Sequence, residues 1–148
     1  MSASTELVTS RLAAIDAQQV DGPELLDELY EIVEDAGSLP DPKVLLPPIF
    51  QFFEKWPAAD LGAPGPLVHF VEQFCAVDYE GLLLESLGRE PVLHTVWMAN
   101  RLLNSTEPTE SLRARITNAL EHVAANPRYS AAVRGEAKEF LEHQRTSS

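Results

Sequence analysis

The chain has 148 residues, 45% of them apolar and 23% charged, with a net charge of −12. That length allows a real hydrophobic core without staples, and the composition excludes wholesale disorder. The acidity disfavours direct binding to nucleic acid or anionic membrane and favours a basic partner. No apolar run is long enough to span a bilayer, and the N-terminal stretch shows no basic segment followed by an apolar one, so no secretory signal is expected. The charge is uneven. Residues 1–75 hold thirteen acids against Arg11, Lys43 and Lys55, and nine of those acids fall between Arg11 and Lys43, where no base occurs.

Apolar residues recur at helical spacing along nearly the whole chain, which predicts an all-α protein of about eight helices. The first covers Thr5 to Ala17, with Leu7, Arg11, Leu12 and Ile15 on its inner edge and Ser4 or Thr5 as cap. The second opens at Asp21, where Asp21 and Glu24 have capping-box spacing and Pro23 stands in the first turn. Leu25, Leu26, Leu29, Ile32 and Val33 form its buried stripe, and Gly37 ends it. A third runs from Asp41-Pro42 to Trp56, with a kink or break at Pro47-Pro48. The segment Pro57 to Pro66 reads as a loop.

The fourth helix covers Pro66 to Val77 with Leu67, Phe70, Val71 and Phe74 inward. Cys75, the only cysteine, reads as a small core residue, consistent with a reducing cytoplasm. The fifth covers Tyr79 to Leu87 behind an Asp78 cap. The sixth, from Glu90-Pro91 to Asn104, buries Val92, Val96, Trp97, Leu102 and Leu103. The seventh starts near Pro108 and stops before Asn126-Pro127 with a stripe of Leu112, Ile116, Ala119, Leu120 and Val123. The eighth starts near Ser130 and carries Val133, Ala137, Phe140 and Leu141. We expect one domain over residues 1–148, with frayed tails at 1–4 and 145–148.

Eight helices with short connections suggest four antiparallel hairpins. The segment Ala132 to Glu142 (AVRGEAKEFLE) resembles the V-R-x-x-A-x-x-x-L pattern of the second helix of HEAT repeats. A curved HEAT-like stack is the first architecture this implies, and an irregular helical bundle the second.

Four histidines (His69, His94, His122, His143) lack metal-ligand spacing. His69 and Glu72 share a helix face, as local hydrogen-bonding pairs often do, without a third ligand. No nucleophile elbow, phosphate loop or dinucleotide fingerprint occurs. We therefore expect no enzyme, no metal and no cofactor. Binding residues are sought on two surfaces. On the second helix, Glu24, Asp27, Glu28, Glu31, Glu34 and Asp35 follow i, i+3, i+4, i+7 spacing opposite the leucines. They form an anionic ridge without intrahelical basic partners, readable as a solvated face or as a docking surface for a cationic protein. On the sixth helix, Asn100 and Arg101 lie beside Trp97 and Asn104, and tryptophan and arginine are common binding anchors.

Two stretches, Asp60 to Phe74 (DLGAPGPLVHFVEQF) and Tyr79 to Asn104 (YEGLLLESLGREPVLHTVWMANRLLN), resemble small bacterial HEAT-like proteins of the immunity type, which are encoded beside polymorphic toxins. The resemblance implies a cytoplasmic inhibitor that binds its cognate toxin, often a nuclease, and blocks its active site. Such proteins recognise partners through variable surfaces, so no functional residue carries over. A scaffold or adaptor joining two cellular proteins is the alternative. Either way the expected partner is a protein, with the chain a monomer or weak dimer.

Overall fold

The computed structural model describes residues 3–105 and 108–147. Among them there is no strand, only eight α-helices and one short 3-10 turn. The helices are α1 (Ala3–Ala14), α2 (Gly22–Gly37), α3 (Leu46–Lys55), α4 (Gly65–Glu72), α5 (Ala76–Arg89), α6 (Leu93–Asn104), α7 (Glu110–Ala125) and α8 (Ala131–Ser147), with the 3-10 turn at Pro42–Leu45 between α2 and α3. The chain divides into two compact units, Met1–Tyr79 and Glu80–Ser148. Each is described in turn.

In the first unit, α2 buries Leu25, Leu29, Ile32 and Ala36, a stripe at the expected spacing. Full burial of each leucine or isoleucine contributes about 1.5–3 kcal/mol. Leu26 and Val33 flank that stripe and are only half-buried. Asp21 is the N-cap residue, as its spacing suggests, but its side chain makes no capping hydrogen bond. The capping box is therefore not formed. Helix α1 spans Ala3–Ala14 rather than Thr5 to Ala17, and its buried edge is Thr5, Val8 and Leu12. Leu7 is not on it: the side chain is 62% exposed. Val8, not Leu7, keeps the i, i+4 register with Leu12.

The proline pair breaks the third segment as anticipated, and the break precedes it. The 3-10 turn ends at Leu45 and α3 starts at Leu46, so Pro47 and Pro48 sit in a first turn whose N–H groups need no helical acceptor. Ile49, Phe50, Phe52 and Phe53 then fill the core, with the Phe50 and Phe53 rings edge-to-face at 5.9 Å. Helix α3 packs on α1, and α4 packs on α2. The connection to α4 depends on glycine. Gly62 has φ +94°, and a Cβ there would lie 2.5 Å from the Cα of Gly65.

Helix α4 stops at Glu72, five residues short of the expected Val77, and Phe74 is half-buried beyond it. Cys75 falls in the gap before α5 and is exposed, so it is not a core residue. Helix α5 begins at Ala76, three residues before the expected Tyr79. Asp78 consequently lies inside the first turn rather than at the cap, and its carboxylate pairs with Lys43 Nζ at 3.2 Å.

In the second unit, α6, α7 and α8 all pack on one another. Helix α7 buries Leu112, Ile116, Leu120 and Val123, while Ala119 is half-buried. Thr109 caps it, its Oγ1 accepting the N–H of Leu112 at 3.1 Å. Pro108 is two residues outside the helix. At the start of α6 the Val92 N–H donates to Thr95 Oγ1, holding Val92 at the N-cap. Arg113 reaches back from α7 and donates to the carbonyls of Leu103 and Ser105, both at 2.8 Å, which satisfies backbone acceptors at the end of α6.

Helix continues over residues expected to fray. Ala3 and Ser4 belong to α1, and α8 runs through Arg145 and Thr146 to Ser147. Met1, Ser2 and Ser148 lie outside the described residues.

Candidate functional site

The ridge on α2 exists as a surface. Glu24, Asp27, Glu31, Glu34 and Asp35 are exposed outside the Leu25, Leu29 and Ile32 stripe, whereas Glu28, i+3 from Leu25 and i−4 from Ile32, borders that stripe and is half-buried. The two ends differ electrostatically. Glu24 stands in the first turn, where the helix dipole favours an anion, whereas Glu34 and Asp35 stand in a last turn that holds no basic residue.

Neighbouring α1 supplies the missing cation. Arg11 Nη1 donates to Asp35 Oδ2 at 2.5 Å, and Nη2 lies 3.9 Å from Glu31 Oε2. Arg11 is therefore not an inner-edge residue but the partner of two ridge carboxylates. It neutralises the C-terminal end of the ridge and leaves Asp27 and Glu34 as the outermost uncompensated pair, spaced i, i+7.

Tyr30 was not among the residues the sequence pattern singled out. It is 52% exposed, three residues after Asp27 and four before Glu34, so it shares their face. An exposed tyrosine among carboxylates offers a cationic side chain both a ring face and a set of acceptors. The signal was present in the sequence, since Tyr30 falls off the leucine stripe; counting charges alone passed over it.

The second candidate surface belongs to the other unit and is largely engaged. Gln144 Nε2 of α8 donates to Asn100 Oδ1 at 3.2 Å and to Asn104 Oδ1 at 2.7 Å. Trp97 is half-buried, stacked edge-to-face with buried His94, and its Nε1 donates to Glu136 Oε2 of α8 at 3.1 Å. One face of α6, carrying Trp97, Asn100 and Asn104, is thus bound to α8. Arg101 remains exposed.

Among the described residues no three His, Cys, Asp or Glu side chains come together in a group that could hold a metal ion. No helix there is long and apolar enough to cross a membrane. Comparison with protein-family models, curated proteins and solved structures finds no match.

Proposed function

We propose that this chain is a protein-binding module of the immunity type, which neutralises a basic bacterial toxin domain by docking it on the outward face of α2. The observation that carries the reading is the pairing of uncompensated carboxylates, above all Asp27 and Glu34, with the exposed ring of Tyr30. Charge of one sign raises the encounter rate with a partner of the other, and an aromatic anchor supplies the short-range affinity that charge alone does not. An all-helical fold is common to HEAT-like stacks and irregular bundles, and the reading does not depend on which of them the chain forms. In this reading the partner is a toxin encoded beside the chain, and binding takes place in the cytoplasm.

The test is co-expression with the toxin domain encoded next to this gene, followed by surface-binding kinetics. Reversal of Asp27, Glu28, Glu31 and Glu34 to lysine should abolish protection and slow association at least tenfold. The wild-type rate should itself fall as salt screens the field, whose reach is about 8 Å at physiological ionic strength. Tyr30→Ala should instead raise the dissociation rate. A neighbourhood without a toxin gene, or full protection by the reversed variant, would overturn the proposal.

A further inference from the structure

We draw no further inference here: the strongest candidate, the exposed stripe of Val77, Gly81 and Gly88 along one face of α5, is a row of small residues beside one exposed valine, and nothing in the structure shows what covers it.

Discussion

Replacing Arg11 by methionine should destabilise the protein at low salt and barely affect it at high salt. Methionine keeps an apolar stem of similar reach, so the change isolates the charge. Three effects act in the same direction. The Arg11–Asp35 and Arg11–Glu31 contacts involve side chains that are 32%, 56% and 74% exposed, and exposed pairs contribute about 0.2–1 kcal/mol. Loss of the cation also leaves Glu31 and Asp35 facing each other at i, i+4, a repulsion of a few tenths of a kcal/mol. Finally, Asp35 is left uncompensated at the negative end of the α2 dipole, at about 0.3–1 kcal/mol. Together these give about 1–2 kcal/mol. Urea unfolding is the suitable assay, because guanidinium would itself screen the charges. A double-mutant cycle with Asp35→Asn should return a coupling energy of about 0.5–1 kcal/mol at ~10 mM salt, where the Debye length is about 30 Å, and nearly none at ~1 M, where it is about 3 Å. A deficit that persists unchanged at high salt, or a coupling of zero at low salt, would refute the electrostatic account of Arg11.

Three further outcomes follow from the packing. Leu29→Ala, at a fully buried position, should cost about 2–5 kcal/mol in urea unfolding, whereas Leu7→Ala should stay within about 0.5 kcal/mol; comparable losses at both would contradict the register assigned to α1. Gly62→Ala should cost more than about 1 kcal/mol, because φ +94° and a 2.5 Å approach to Gly65 act together; a neutral thermal melt would show that the loop relaxes freely. Glu136→Leu should leave the Trp97 indole N–H unpartnered and cost about 1–3 kcal/mol, with faster hydrogen exchange at that indole as the specific readout.

The all-helical fold was legible because it is written in local periodicity. The α2 stripe of Leu25, Leu29 and Ile32 repeats over about two turns and the α7 stripe of Leu112, Ile116, Leu120 and Val123 over about three, and the structure buries them. Boundaries were less legible where periodicity and capping chemistry offer several registers. Leu7 and Val8 are adjacent apolar residues, and only the packing of α1 on α2 and α3 decides which one turns inward. Asp78 has the chemistry of a cap, but α5 starts two residues before it, and Lys43, far away in sequence, uses the carboxylate instead.

What the sequence conceals is pairing between distant positions, and this decides how each polar residue is to be interpreted. Asn100 looks like an available binding residue until Gln144, forty-four positions later, is seen to donate to it. Arg11 looks like part of a helix edge until its guanidinium is placed against Asp35, twenty-four positions away. Both pairings remove a group from the set free to meet a partner, and they act selectively. In the first unit, tertiary pairing satisfies Arg11 and Lys43 but leaves the Asp27–Tyr30–Glu34 face and Lys55 over Trp56 without protein counter-charges among the described residues. A net charge of −12 cannot distinguish a solvated surface from a recognition surface. The distribution of what remains unpaired can, because unpaired groups are the ones whose interactions a partner would complete without first breaking others. Anionic groups around an exposed aromatic ring fit a cationic protein surface.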